Sequence, residues 1–365
     1  MNPKCGKVPN SFYYIDLECV NAGEIKDLRI EIADTAPSRA QRLLALHDIL
    51  FQTVRPYQKN NYHFKVENDL PTVASTGYAV FRTHQNSEYL YELIHTERFL
   101  SDIMKRCTGT SFPAVSSSDI EDIAVWVPEI QEQKKVGEFL TLVDAKIAKQ
   151  RLLIEHLKKY KRGLLDKLLE DNNAAANWSI VRLQDVANGF EYGMNSAATT
   201  FDGIHKYIRI TDIDDDSRQY LSEDIVSPSD TPEEKYKVNA NDILFARTGA
   251  SVGKSYLYSS EDGELYFAGF LIRISVKKEY DSYFVYLNTL TSKYEKWLRL
   301  ESMRSGQPGV NAEQYRNYAF RCPNYQTQVK IANIIKGIDS RIAKERISLL
   351  KLNSLKNGLL QQLFI

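Results

Sequence analysis

The sequence lacks any run of about 18 consecutive apolar residues, which a transmembrane helix would require. Its first residues also lack the basic and apolar regions of a secretory signal peptide. We therefore predict a soluble, cytoplasmic protein with no membrane partner. A hydrophobic content of 43% excludes a disordered chain, and a length of 365 residues predicts two or three domains.

Histidine and cysteine are scarce, with six and four copies in the chain. The cysteines lack the spacing of metal ligands, and the histidines form no HxxxH or HExxH motif, so we expect no metal site. The cysteines are expected to be reduced and structural. A formal net charge of zero argues against a protein that coats nucleic acid by charge alone, although basic groups can still lie on one face.

Catalytic motifs are also missing. The run from Gly249 to Lys254 is similar to a phosphate-binding loop, but three residues separate its glycines instead of four. It leads into a predicted strand at 256–258, whereas a phosphate-binding loop leads into a helix. We interpret it as a polar hairpin loop. Because the glycine-rich cofactor loop and the Asn/Asp-Pro-Pro-Tyr/Phe motif of adenosylmethionine-dependent DNA methyltransferases are absent too, we expect no enzymatic activity and no cofactor.

The most regular pattern lies between Gln131 and Leu169, a segment without proline. Apolar residues recur there at alternating steps of four and three, which predicts a long helix with a coiled-coil seam. The seam consists of Val136, Leu140, Val143, Ile147, Ile154, Leu157, Leu164 and Leu168, interrupted by Gln150 and Lys161. At 1.5 Å per residue the helix would extend roughly 55–60 Å.

The same pattern returns 195 residues later. The second seam consists of Ile331, Ile335, Ile338, Ile342, Leu349, Leu352, Leu359 and Leu363, interrupted by Glu345 and Lys356. Because even the interruptions recur at equivalent places, we interpret the chain as an internal duplication. The globular parts agree with this, since the sequence Asp-Ile-Leu-Phe occurs at both 48–51 and 242–245.

The duplication predicts an α+β fold in which two repeated globular domains are separated by two long helices. The predicted segments are a first domain at 1–129, a first helix at 130–170, a linker at 171–177, a second domain at 178–324 and a second helix at 325–365. In the first domain we also predict a short helix within 37–47 and a strand at 124–127. A strand followed by a turn at 178–186 has no counterpart in the first repeat.

This arrangement resembles the specificity (S) subunit of type I restriction–modification systems. In that family, two globular halves are each followed by a long helix that begins near Pro-x-x-Gln-x-Gln. The resembling residues are Pro128, Gln131 and Gln133, then Pro323, Gln326 and Gln328, with Arg247-Thr248-Gly249, Gly253-Lys254 and Ser305 to Gly309 in the second half. The resemblance covers nearly the whole chain, except that the opening tryptophan-containing strand is missing from the first half.

The resemblance implies that each domain reads one half of a bipartite DNA site, and that the helices pack antiparallel as a spacer. It also implies three partners: double-stranded DNA, two methyltransferase (M) subunits and motor–nuclease (R) subunits. The candidate DNA-binding residues are polar loop residues: Thr53, Arg55, Gln58, Lys59, Asn60, Thr110, Ser111, Arg247, Thr248, Ser251, Lys254, Arg304, Ser305, Gln307 and Asn311. One alternative is a coiled-coil scaffold that binds protein and not DNA. Another is a fragment of a fused restriction–methylation enzyme, which would require catalytic motifs in flanking sequence.

Two further expectations concern the helices. Antiparallel packing pairs residues whose numbers have a constant sum, and a sum of 506 would place Lys161 beside Glu345 and Lys356 beside Gln150, polar against polar. Gly163 and Gly358 each cost about 1 kcal/mol inside a helix. We therefore expect a close backbone approach at these glycines, such as a methyltransferase helix would make.

Overall fold

The computed structural model describes residues 1–3, 8–21, 23–66, 68–170, 178–302 and 309–364. The predicted linker at 171–177 lies outside the described residues. The chain divides into two compact units: unit 1 is Met1–Leu152 with Arg346–Ile365, and unit 2 is Leu153–Glu345. Both boundaries fall inside the long helices. Within the described part of the chain, no helix is long and apolar enough to cross a membrane.

Unit 1 has three described sheets, with strand orders β4-β1-β8-β5, β7-β6-β9 and β2-β3. The strands are β1 (Ser11–Ile15), β2 (Val20–Asn21), β3 (Glu24–Ile25), β4 (Arg29–Ile32), β5 (Ala40–Leu43), β6 (Ile49–Gln52), β7 (Tyr62–His63), β8 (Thr72–Ser75) and β9 (Tyr78–Phe81). β1 and β8 pair in parallel, and the other strand pairs are antiparallel. The helices are α1 (Ser87–Leu93), α2 (Glu97–Arg106), α3 (Ser117–Glu121), the first part of α4 (Ile130–Glu170) and the last part of α9 (Tyr325–Leu363).

Unit 2 is built around an antiparallel sheet of order β11-β18-β15-β16, with the further strand pairs β10-β19, β12-β14 and β13-β17, the last of which is parallel. The strands are β10 (Ser179–Arg182), β11 (Ala187–Tyr192), β12 (Ala198–Thr200), β13 (Lys206–Ile208), β14 (Val226–Pro228), β15 (Asp242–Ala246), β16 (Ser255–Leu257), β17 (Leu265–Phe267), β18 (Leu271–Val276) and β19 (Ala319–Cys322). The short helices are α5 (Leu183–Val186), α6 (Ser282–Asn288), α7 (Ser292–Ser302) and α8 (Ala312–Arg316).

The repeated Asp-Ile-Leu-Phe sequence forms the central strand of each unit. In β6, Ile49 and Phe51 pack into one core cluster and Leu50 packs into another. In β15 the equivalent Ile243 and Phe245 point to one side, and Leu244 points to the other. Successive side chains of a strand point to opposite faces. Each central strand is therefore buried on both faces, which explains why it is apolar without alternation.

The long helices confirm the periodicity predicted from the sequence, and each is attached to its unit by a buried glutamine. Gln133, which is 1% exposed, accepts a hydrogen bond from the backbone amide of Asn86 and donates to the carbonyl of Pro128 at 2.7 Å. In unit 2, Gln328 accepts from the amide of Asp281 and donates to the carbonyl of Pro323 at 2.9 Å. Asn86 and Asp281 are the N-caps of α1 and α6. The Pro-x-x-Gln-x-Gln motif thus joins each long helix to a capped helix of the globular part.

Among the described residues, an ion pair joins α4 to α9 in each unit. In unit 2, Lys161 Nζ lies 2.6 Å from Asp339 Oδ1, and in unit 1, Lys356 Nζ lies 2.6 Å from Asp144 Oδ1. A shift of 195 residues converts one pair into the other. In both pairs the residue numbers add up to 500, so the predicted sum of 506 is corrected. The lysines take aspartates beside the seam as partners instead of Glu345 and Gln150.

Apolar residues of α4 and α9 also meet within each unit. In unit 2, Leu165 and Leu169 share a core cluster with Ile335 and Ile331. In unit 1, the cluster around β6 is covered by Val136 and Phe364, and the ring of Phe364 lies 4.9 Å from that of Tyr89. Within each unit the two helix segments therefore run antiparallel. Leu165 and Leu169 are more buried than the predicted seam residues Leu164 and Leu168, and all four pack on the same core cluster.

Two local predictions for the first repeat are wrong. The segment 37–47 contains the strand β5, which pairs with β8, instead of a short helix. The segment 124–127 is not a strand, and its Trp126 is 80% exposed. The equivalent strand of unit 2, β19, pairs along its full length with β10. No described strand of unit 1 pairs with 124–127, and an extended segment without a ladder partner does not form a sheet.

The buried glutamines give a testable prediction. Changing Gln328 to leucine would leave the Asp281 amide and the Pro323 carbonyl unpaired, so the free energy of unfolding should fall by about 1–3 kcal/mol. Gln326 belongs to the same motif but is exposed, and Gln326→Leu should change it by less than about 0.5 kcal/mol. Chemical denaturation of the two variants measures the difference, and equal losses would contradict this role.

A second prediction concerns Glu92 of α1, whose side chain is 2% exposed and lies 3.0 Å from Lys356 Nζ, without the alignment of a hydrogen bond. Burial raises the pKa of Glu92 to about 7 from an ordinary 4.5, although Lys356 opposes the shift. The folded state therefore binds this proton more tightly, so the contribution of Glu92 to stability is present at low pH and is lost as the pH rises through this window.

Glu92→Gln stays neutral at all pH values. The variant's free energy of unfolding, relative to the native protein, should therefore increase between pH 5 and pH 8 by on the order of 1–3 kcal/mol. Glu138→Gln, at an exposed position of α4, should give a flat difference. Denaturation series at several pH values measure both, and a flat curve for Glu92→Gln would contradict the prediction.

Candidate functional site

In unit 2, three chain segments meet where β15 ends. The amide of Arg247 donates to the carbonyl of Phe270 at 3.1 Å, and the amide of Val310 donates to the carbonyl of Arg247 at 2.9 Å. Thr248 forms an antiparallel bridge with Gly309. We call this place the strand-end crossing of unit 2. It fixes the backbone of two predicted DNA-binding residues, Arg247 and Thr248.

The side chain of Arg247 is held by aromatic rings. Its guanidinium carbon lies 5.1 Å from the ring centre of Tyr192 and 5.7 Å from that of Phe270. Both rings are on the surface, 44% and 60% exposed. Among the described residues no carboxylate pairs with Arg247, and its Nε is buried without a hydrogen-bond partner. Cation–π contacts therefore orient this guanidinium while leaving donors unused.

The loop after Arg247 is a hairpin connection between β15 and β16, as the sequence predicted. Gly253 has a φ of +81°, and a Cβ at this position would lie 2.1 Å from the side chain of Leu298, so only glycine fits. Lys254 points inward and is 6% exposed. Its ammonium donates to the carbonyl of Ile213 at 2.9 Å and forms an ion pair with Asp215. Lys254 therefore holds the loop together and presents no free ammonium on the surface.

Unit 1 has an equivalent strand-end crossing where β6 ends. The amide of Thr53 donates to the carbonyl of Gly77, and the amide of Val115 donates to the carbonyl of Thr53, both at 3.0 Å. Val54 forms a bridge with Ala114. The backbone pattern is the same as in unit 2, with Thr53 in the place of Arg247. The Thr53 side chain is buried and donates to Gly77 at 2.8 Å, so this residue has a structural role.

The arginine of unit 1 comes two residues later. Arg55 has a φ of +53°, and its guanidinium carbon lies 4.2 Å from the ring centre of Phe112, which is 62% exposed. Its Nε is also buried without a hydrogen-bond partner among the described residues. Each unit therefore presents one arginine over an exposed aromatic ring beside its strand-end crossing.

The other predicted DNA-binding residues fall into three groups. Lys59, Gln58 and Asn60 have partners within unit 1: Lys59 pairs with Glu97 at 2.7 Å, Gln58 accepts from Gln52, and the Asn60 amide donates to Gln52. Thr110, Ser111 and Asn311 are exposed, Ser251 is half-buried, and Asn311 also caps α8. Arg304, Ser305 and Gln307 lie outside the described residues.

Sequence reasoning missed the aromatic residues Phe112, Tyr192 and Phe270. The sequence could have pointed to Phe112, an aromatic residue in a predicted polar loop, and to Phe270, an aromatic residue at the start of a predicted strand. Tyr192 could not be found in this way, because it is brought to Arg247 by the pairing of β11 with β18.

The predicted partner-binding glycines show no close approach within this chain. A Cβ added at Gly163 or Gly358 would meet nothing within 4 Å among the described residues. The crowded glycine of these helices is Gly137, where a Cβ would lie 2.6 Å from Asn86 Oδ1 and 2.9 Å from the amide nitrogen of Tyr89. Gly137 therefore allows α4 to approach α1, while Gly163 and Gly358 leave open space.

The fold and these two crossings define a duplicated α+β protein with one polar, aromatic loop surface in each unit. The model of the family described as "Type I restriction modification DNA specificity domain" matches residues 41–159 and again residues 176–352. The chain belongs to this family, and the double match confirms the duplication.

Individual relatives agree with the family. The type I restriction enzyme HindI specificity subunit of Haemophilus influenzae is 25% identical over 170 residues, which cover 43% of this chain and 36% of the relative. The MjaVIII specificity subunit of Methanocaldococcus jannaschii is 22% identical over 283 residues, which cover 70% and 64%. The chain thus spans less than two thirds of the length of these relatives.

A solved structure shows the same fold. It comes from work on complex assembly and conformational transition of the type I R-M system, and it superposes with a TM-score of 0.62. The sequences are 20% identical, and the match covers 97% of this chain and 91% of that chain.

The glycines give a testable prediction. Because their surroundings are open, Gly163→Ala and Gly358→Ala should each raise the free energy of unfolding of the isolated chain by up to about 1 kcal/mol. Gly137→Ala should lower it, since the new methyl group overlaps the cap of α1. Thermal or chemical denaturation provides the measurement. Destabilisation by Gly163→Ala would show that this position is crowded after all.

Proposed function

We propose that this protein is the DNA-recognition subunit of a type I restriction–modification complex. Each unit reads one half of a bipartite target, and the long helices set the spacing of the half-sites. The partners are double-stranded DNA, two methyltransferase subunits and motor–nuclease subunits. The subunit itself carries no catalysis or cofactor. We also propose a functional division into domains at 1–129 and 178–324, with spacer helices at 130–170 and 325–365 and a linker at 171–177.

The observation that carries this proposal is the pair of arginines held over exposed rings. An arginine recognises guanine through two parallel hydrogen bonds to O6 and N7 in the major groove, each good pair being worth about 1–3 kcal/mol of discrimination. Such readout requires a guanidinium that is fixed in direction and not consumed by a carboxylate. Arg55 and Arg247 meet both conditions. The exposed rings beside them offer apolar contact to thymine methyl groups or sugars.

The two strand-end crossings have equivalent backbone hydrogen bonds but different side chains, which supports the proposal that the units read different half-sites. The same hydrogen bonds hold Thr53 in unit 1 and Arg247 in unit 2. The side chains that this common frame presents are different, so the two units would read different half-sites. Exposed Thr110, Ser111 and Asn311 are further candidates for base or phosphate contacts, together with Arg304, Ser305 and Gln307.

The two long helices, α4 and α9, have features that suit a spacer between the half-sites and a docking surface for a partner subunit. An ion pair between α4 and α9 at equivalent places in each unit fixes the register of the two segments, and polar layers in coiled coils serve that purpose. We propose that Gly163 and Gly358 receive a methyltransferase helix, since the open space above them would accept a partner backbone.

A protein-binding scaffold is the second candidate. It is favoured by the exposed apolar segment at 124–127, where Val125, Trp126 and Val127 are 41%, 80% and 39% exposed. Exposed apolar patches of this kind often contact other proteins. The two candidates differ in one respect, because the scaffold would not direct methylation to a DNA sequence.

The test is co-expression of the chain with its methyltransferase subunits, followed by genome-wide mapping of methylated adenines. A bipartite motif with a constant spacer is expected. Arg247→Ala should weaken or relax only one half of the motif, and Arg55→Ala only the other, with specific binding reduced by about ten-fold or more.

The matched control is Arg29→Ala, which removes an exposed arginine that is paired with Asp27 in unit 1. It should leave the motif unchanged. An assembled, soluble complex whose presence leaves the methylation pattern of the genome unchanged would overturn the proposal and favour the scaffold.

A further inference from the structure

Three side chains of unit 1 with metal-binding chemistry converge from different elements: His47, His63 and Glu88. One ligand atom of each lies within 4.8 Å of the others. His63 belongs to β7 and pairs with Ile49 of β6. Glu88 lies in the first turn of α1. His47 has a φ of +69°, and its amide donates to the carbonyl of Phe64 at 2.7 Å, which holds it next to β7.

The buried member of this group has no partner for either of its polar atoms. His63 is 6% exposed, and both of its ring nitrogens are buried without a hydrogen-bond partner among the described residues. Buried polar side chains are nearly always paired, because an unpaired one loses its hydrogen bonds to water without replacement. A histidine that served only to fill space would be an unfavourable choice here. A ligand for a ring nitrogen would remove the cost.

We propose that His47, His63 and Glu88 bind a divalent transition-metal ion, with Zn²⁺ as the best match. Imidazole nitrogen together with carboxylate oxygen is a ligand set that suits Zn²⁺, and three protein ligands leave a fourth position for water. His47 is exposed, so the fourth position faces solvent. This inference does not depend on the proposed DNA-binding function.

The geometry requires a modest contraction. Tetrahedral Zn²⁺ with bonds of about 2.1 Å needs ligand atoms roughly 3.4 Å apart, compared with separations of up to 4.8 Å here. His47 is exposed and Glu88 is half-buried, so these are the two side chains that would move to contract the site. Burial lowers the pKa of His63 to about 4, with Lys65 adding to the shift. Its ring is therefore neutral at pH 7, the form that binds metals.

One neighbouring charge competes with the ion. Lys65 Nζ lies 4.0 Å from Glu88 Oε1, and its side chain is 39% exposed. An exposed ion pair of this length contributes little to stability, so a metal ion can displace it. The competition distinguishes this site from a surface histidine that binds metals by chance, because removing Lys65 should strengthen binding.

A bound ion would join the sheet β7-β6-β9 to α1. That helix also carries Glu92, which faces Lys356 of α9, and its cap is held by Gln133 of α4. The ion would therefore stabilise the part of unit 1 to which both long helices are attached.

The test uses the full chain, freed of metal and kept reduced. Zn²⁺ titration by calorimetry should show one equivalent bound per chain at micromolar metal. Co²⁺ as a probe should give the visible absorption of a site with nitrogen and oxygen ligands, without the charge-transfer band of thiolate ligation. Glu88→Gln and His63→Phe should each weaken binding by at least about ten-fold. His84→Ala, at an exposed histidine of the same unit, should have no effect.

Two further variants separate a metal site from a merely structural histidine. Lys65→Met should tighten binding several-fold. His63→Phe, measured without metal, should be at least as stable as the native chain, since the His63 ring makes no hydrogen bond to the described residues. It should also no longer be stabilised by Zn²⁺. Absence of stoichiometric binding, unchanged affinity in His63→Phe, or a thiolate band would each overturn the proposal.

Discussion

The structure of each unit depends on one buried glutamine at the start of its long helix. Gln133 and Gln328 each donate a hydrogen bond to the carbonyl of a proline five residues earlier in the chain. Each also accepts a hydrogen bond from the backbone amide of a helix N-cap residue. A buried amide with both ends bonded fixes a direction, whereas an apolar contact does not. These bonds tie the start of each long helix to its globular core, and the ion pairs farther along fix the register of α4 and α9 within each unit.

The two repeats share their main structural elements but differ in the side chains at their strand-end crossings. The central strands, the capped helices, the glutamines and the lysine–aspartate pairs all recur at nearly the same offset. The strand-end crossings also recur, but a buried threonine in unit 1 stands where unit 2 has an arginine over two rings. A repeated frame with different side chains is the arrangement that the proposed reading of two unlike half-sites requires.

The features that could be predicted from the sequence are those that depend on periodicity and repetition. The long helices follow from the spacing of apolar residues, because burial of one helix face imposes that spacing. The central strands follow from the repeated Asp-Ile-Leu-Phe sequence. Contacts across the fold could not be predicted. Lys254 looks like a free cation in sequence but is buried against Ile213 and Asp215. The register was missed because Asp144 and Asp339 lie beside the seam, and the segment 124–127 has strand-forming residues but no described partner strand.

The division of the chain into units has a consequence for the order in which they become complete during synthesis. Unit 2 is continuous, from Leu153 to Glu345, so a ribosome delivers all of it before the chain ends. Unit 1 needs its first 152 residues and also the segment that begins at Arg346. Until Lys356 emerges, the carboxylate of Glu92 lacks its cation. All residues of unit 2 are therefore available during synthesis before all residues of unit 1 are.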